Sequence, residues 1–116
     1  MEIIIAIFIG LVAFIHCYIM WFEMFAWLTR GPKVFRHFPK DLFAPTKNLA
    51  ANQGLYNGFL AAGLIWSFIS DASNLAVFFL ICVAIAGIYG AYSTKKIRIL
   101  YIQTIPASLA IISLLF

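Results

Sequence analysis

Hydrophobic residues run through the chain in four long stretches, broken by three short polar segments. The stretches lie at about residues 3–28, 47–69, 74–92 and 97–116. A helix needs roughly 20 mostly apolar residues to cross a bilayer, and each stretch meets that length. The pattern predicts an all-α protein, a four-transmembrane-helix bundle forming one transmembrane domain over residues 1–116, without internal repeats. Thr46, after Pro45, and Ser73, after Asp71, are placed to cap the second and third helices. The connections are "TRGPKVFRHFPKDLFAPT" (29–46), "SDAS" (70–73) and "STKK" (93–96).

Composition agrees. The chain is 65% hydrophobic and 10% charged, whereas soluble domains carry roughly 25% charged residues. Cys17 and Cys82 sit inside apolar runs and read as small packing residues rather than a disulfide framework. The start, Met1-Glu2 followed directly by "IIIAIFIGLVAF", has neither a basic leader nor a small-residue cleavage site. The first stretch therefore reads as a retained helix.

Charge adds a direction. The eight Lys and Arg residues occupy positions 30, 33, 36, 40, 47, 95, 96 and 98, whereas the 70–73 connection holds only Asp71. Basic residues collect on the cytoplasmic side. Segments 29–46 and 93–96 are therefore expected in the cytoplasm of a multi-pass cell-membrane protein, with both termini extracytoplasmic. Such a bias also argues against dual topology. In the first segment Val34, Phe35, Phe38, Leu42 and Phe43 alternate with Lys33, Arg36, His37 and Lys40. That mixture suits the interface of an anionic leaflet. It reads as a positive-inside anchor, with a lipid-binding or substrate-gathering surface as the alternative.

The polar residues within the stretches carry the candidate chemistry, because ionisable groups in a membrane are expensive and usually face the bundle interior or water. His16 and Glu23, seven residues apart, share a helix face with Met20 and Trp27. Counted from Leu28, Glu23 lies roughly 8 Å deep and His16 roughly 18 Å deep. Glu23 suits a proton-coupled carboxylate, a cation contact or a general acid/base. The plain alternative for both groups is a hydrogen-bonded side chain that only orients helices. In the second stretch Asn48, Asn52, Tyr56, Phe59, Gly63 and Trp66 fall on one side, and Gln53 and Asn57 on an adjoining one. Gly54, Gly58 and Ala62 form a small-residue packing stripe. This helix is expected at the centre of the bundle. Ala84, Gly87 and Ala91 read as a packing face of the third helix. In the fourth, Pro106 leaves the Ile102 carbonyl free and predicts a kink. Together, His16, Glu23, Asn52, Gln53, Tyr56, Asn57 and Gln103 outline a ligand-binding pocket in the cytoplasmic half of the membrane.

Three passages, "HCYIMWFEMFAW" (16–27), "GPKVF" in the first connection and "LAANQGLYNGFLAAGL" (49–64), resemble a family of small bacterial four-helix membrane proteins, number 1304 among the domains of unknown function. The resemblance implies a four-span bacterial membrane protein and no particular activity. Glu23 is also similar to the first-helix glutamate of small multidrug-resistance transporters, although the charge bias and the amide-rich second helix depart from them. "KNLAANQGLYN" loosely resembles the second helix of the membrane-associated eicosanoid and glutathione enzymes, but lacks their arginines.

No nucleophile constellation, phosphate-binding glycine loop or clustered Cys/His set occurs, so no catalytic residues, metal or cofactor are expected. Short membrane-tethered basic loops exclude nucleic acid. The expected function is binding or transport of a small amphiphile, lipid headgroup or cation, with Glu23 as the charged contact and membrane lipid as a partner. The alternatives are an accessory subunit that binds a protein or a second copy of itself as a homo-oligomer, and an intramembrane enzyme using Glu23 and His16.

Overall fold

The structure, a computed structural model, describes residues 2–116. The described residues contain only helices and connections: α1 (Ile3–Phe25), α2 (Trp27–Val34), a short 3-10 turn (Lys40–Leu42), α3 (Lys47–Ile69), α4 (Ser73–Thr94) and α5 (Ile97–Leu115). Three of them, α1, α4 and α5, are long and apolar enough to cross a membrane. α3 matches α1 in length at 23 residues, but Asn48, Asn52, Gln53 and Asn57 make its first half polar.

The chain divides into two compact units. One comprises the chain up to Ile15 together with Leu60–Phe116, and the other is His16–Phe59. In the first unit Ile9, Val12 and Ala13 of α1 and Leu64 of α3 belong to one core with Ala76, Leu80 and Val83 of α4 and Ala107 and Ala110 of α5. The α4 positions recur at steps of four and three, which keeps them on one side of a 3.6-residue helix. Gly63 has the ring of Phe79 where a Cβ would stand, and Gly87 has Thr104 in the same position. Backbones pack closely where the side chain is a hydrogen.

Several local expectations change. The first helix ends at Phe25 rather than Leu28. Ala26, at φ −125° and ψ 13°, leaves the helical region, and α2 starts after it. Segment 29–46 is thus largely ordered: α2 reaches Val34, and the 3-10 turn follows. Ser73 is the first residue of α4 and does not cap it, because Ala72 holds the cap position without a side-chain hydrogen bond. The Thr46 hydroxyl donates to the Leu42 carbonyl at 2.7 Å and accepts from Trp27 Nε1 at 3.0 Å, so it ties the preceding segment together. Before Pro106 the helix widens. Residues 100–104 form a π turn in which Ile105 N–H reaches the Leu100 carbonyl, five residues back. Wide turns of this kind accommodate a backbone that the regular ladder cannot satisfy.

Ala62 leaves the packing stripe. It is exposed, whereas Ala61 is buried. At 100° per residue, position 61 stands about 20° from position 54 and position 62 about 80° away. Ala61 rather than Ala62 therefore lies on the Gly54 side of α3.

Candidate functional site

The second unit, His16–Phe59, contains Glu23 together with Asn57, Gly54 and Met20. Its frame is aromatic. Phe22, Trp27, Phe35, Phe38 and Phe43 meet at ring-centroid distances between 4.9 and 6.0 Å. Gly31 admits the Phe43 ring, whose Cε1 would lie 2.6 Å from a Cβ at that position. The phenylalanines expected at a lipid interface are thus turned into a cluster, while Lys33, Arg36, His37 and Lys40 remain exposed.

Against this frame α3 approaches α1 at Gly54. A Cβ there would stand 3.0 Å from Glu23 Cβ, 3.0 Å from the Met20 carbonyl oxygen and 2.7 Å from Met24 Cγ. Gly58 meets only the flexible end of Met20, with Sδ at 2.6 Å. The two glycines are therefore unequal. Gly54→Ala is expected to destabilise the fold by about 1–2 kcal/mol, because a backbone carbonyl and a Cβ stand in the way. Gly58→Ala is expected to be near neutral, since the Met20 side chain repacks and alanine favours helix by up to about 1 kcal/mol. Thermal unfolding of the two variants in detergent measures the contrast.

The close approach sets up the central contact. Asn57 Nδ2 donates to Glu23 Oε1 at 2.8 Å, and also to the Gln53 carbonyl of its own helix at 3.0 Å. The amide is thereby fixed between backbone and carboxylate. A hydrogen bond to a charged acceptor is worth roughly twice a neutral one. Glu23 is half-buried. With α1 ending at Phe25, it stands about 3 Å from the helix end rather than roughly 8 Å.

The remaining expected site residues are placed differently. His16 is buried, at 1% exposure, and is not presented to a ligand. Asn52, Gln53 and Tyr56 are exposed, Tyr56 at 61%. Phe59 and Trp66 on the same helix are exposed too. α3 is therefore not enclosed on every side, contrary to its expected central position. Gln103 belongs to the other unit, where its Cβ lies 3.0 Å from the point that a Gly87 Cβ would occupy. Among the expected residues, the structure joins Glu23 to Asn57, with Gln53 contributing its backbone. Sequence reasoning missed the Trp27–Thr46 bond and the contact of Arg30 with Tyr18 (2.7 Å). The first begins just after the bend at Ala26 and the second spans it, and alanine is a residue type that does not itself mark a break.

The chain belongs to the family described as "Protein of unknown function (DUF1304)", whose model matches residues 10–115, as the resemblance of its motifs anticipated. It is similar to the "Uncharacterized protein YpaA" of Lactococcus lactis subsp. lactis (strain IL1403), with 33% identity over 110 residues covering 91% of this chain and 92% of that one. No solved structure matches.

Proposed function

We propose that this is a four-span membrane protein that binds or transports a small cation or cationic amphiphile at Glu23, from the cytoplasmic side. The Asn57–Glu23 hydrogen bond across the α1–α3 approach at Gly54 carries the reading. An amide that steadies one carboxylate oxygen presents the group in a fixed orientation, which lowers the ordering cost of binding. A half-buried carboxylate also attracts a cation more strongly than one in bulk water.

The fourth crossing rests on length and charge. Twenty-three residues of α3 extend about 35 Å, against a hydrocarbon core of about 30 Å. If α3 did not cross, segments 29–46 and 93–96 would face opposite sides. The basic residues would then be split between them, against the usual bias. With α3 crossing, both segments lie in the cytoplasm and both termini outside.

Tetraphenylphosphonium, a cationic amphiphile, is a suitable probe with the purified protein in nanodiscs. Wild type is expected to bind it, and Glu23→Gln to weaken binding about tenfold or more, as for a lost charge contact, with the unfolding temperature nearly kept. Equal binding by wild type and Glu23→Gln would defeat the reading. The exposed amides of Asn52 and Gln53 favour a second one, an accessory subunit whose α3 face meets another protein chain. In that case Asn52→Ala and Gln53→Ala, rather than Glu23→Gln, change the oligomeric state seen by native mass spectrometry.

A further inference from the structure

Arg30 is held against a residue twelve positions earlier. Its Nε donates to the Tyr18 hydroxyl at 2.7 Å, and its guanidinium carbon lies 5.8 Å from the centre of the Tyr18 ring. On a straight helix the two residues would be separated by about 18 Å. The break at Ala26 bends the chain and brings the two side chains together. This places a cation next to the exposed aromatic face of a helix apolar enough to cross a membrane. Tyr18, Trp21 and Phe25 are all exposed on that helix, with the rings of Tyr18 and Trp21 5.9 Å apart.

A long basic side chain at the edge of a membrane ordinarily extends toward water. Here the guanidinium is instead turned to the Tyr18 hydroxyl and ring. Arginine has five N–H donors in a rigid planar fork. Tyr18 takes the Nε donor, which leaves the two terminal nitrogens to match two oxygens of a phosphate. Lys33, three residues further along α2 and also exposed, lies on the same face and brings a second positive charge. Tyr and Trp side chains favour the headgroup level of a bilayer. Cation fork, second cation and amphipathic rings together match the phosphate end of an anionic phospholipid.

We propose that Arg30, oriented by Tyr18 and assisted by Lys33, binds the phosphate of an anionic phospholipid at the bilayer edge, with Trp21 beside it at the headgroup level. The site uses neither Glu23 nor Asn57 and stands independently of the function proposed above.

The test uses the full chain in detergent mixed with phosphatidylglycerol and phosphatidylcholine, with retained lipid counted by native mass spectrometry. Wild type is expected to retain phosphatidylglycerol in preference to phosphatidylcholine. Arg30→Gln lowers that retention about tenfold, the scale of a lost bidentate charged contact. Tyr18→Phe keeps the ring but removes the hydroxyl that orients the guanidinium, and lowers retention several-fold. Arg36→Gln, on an exposed basic residue outside the site, changes it less than twofold. Equal losses for Arg30→Gln and Arg36→Gln would reduce the effect to diffuse surface charge and overturn the proposal. So would equal retention of the two lipids, or full displacement of phosphatidylglycerol by millimolar inorganic phosphate, which would make the ligand a free anion. Should Arg30→Gln disturb the helix content seen by circular dichroism, Tyr18→Phe decides: unchanged retention in that variant overturns the proposal.

Discussion

Replacing Gly87 with valine is expected to destabilise the protein by about 3 kcal/mol or more. Gly87 is buried on α4. An added Cβ would overlap the Thr104 hydroxyl, stand 2.9 Å from the Thr104 backbone nitrogen and 3.0 Å from Gln103 Cβ. Overpacking a tight contact costs about 1–3 kcal/mol when flexible side chains can move. A backbone nitrogen in the π turn cannot move without the turn. The same displacement breaks the bond from the Thr104 hydroxyl to the Ala84 carbonyl, 3.0 Å long, worth about 1 kcal/mol. Gly90→Ala is the control: its nearest obstacle is the Ile99 Cγ2 methyl at 3.2 Å, which yields by a small shift. Unfolding in detergent, followed by far-ultraviolet circular dichroism, should separate the two variants widely. Equal unfolding would mean that α4 does not depend on its close approach to the π turn.

That glycine also shows what a sequence discloses in this fold. Small residues at Gly54, Gly58 and Gly87 announce close approach, because a packed helix has little other reason to carry them. Pro106 likewise announces a disturbed ladder, though not that the chain answers with a wide turn ahead of it. What stays hidden is rotation and partnership. Glu23 and four amides are visible as polar groups, but Asn57 donates to the carboxylate while Asn52 and Gln53 are exposed. That choice depends on the angular phase of α3 against α1, which is fixed where Gly54 touches Glu23 Cβ and the Met20 carbonyl. The glycine seam and the amides are thus not separate devices, since the glycine positions the carboxylate. The exposure of Ala62 follows from the same phase, as the drift of a 3.6-residue helix away from a strict four-residue step. The end of α1 is hidden for another reason. Alanine is the best helix former, so Ala26 itself gives no sign of a break, although Gly31 donates to its carbonyl and Pro32 follows inside α2.

Trp27→Ala is the substitution that exposes this dependence. Trp27 touches Phe22, Phe35, Phe38 and Phe43 and donates its indole N–H to Thr46. Truncating a packed Trp costs about 3–5 kcal/mol, and a half-buried one belongs near the low end, at about 3 kcal/mol. Trp27→Phe keeps a ring in the cluster and gives up chiefly the hydrogen bond, so its expected cost is about 1 kcal/mol. Unfolding in detergent measures both. The pair separates two explanations for the bend at Ala26. If aromatic clustering holds α2 against α1, Trp27→Ala also frees Arg30 from Tyr18, and protection of the α2 amides from hydrogen exchange falls in that variant alone. If the bend were instead a property of the local backbone, α2 would keep its protection after the cluster lost its central ring. The first outcome is expected. Ala26 has no conformational preference for its φ of −125°, and the side chains that profit from the turn are the rings on either side of it.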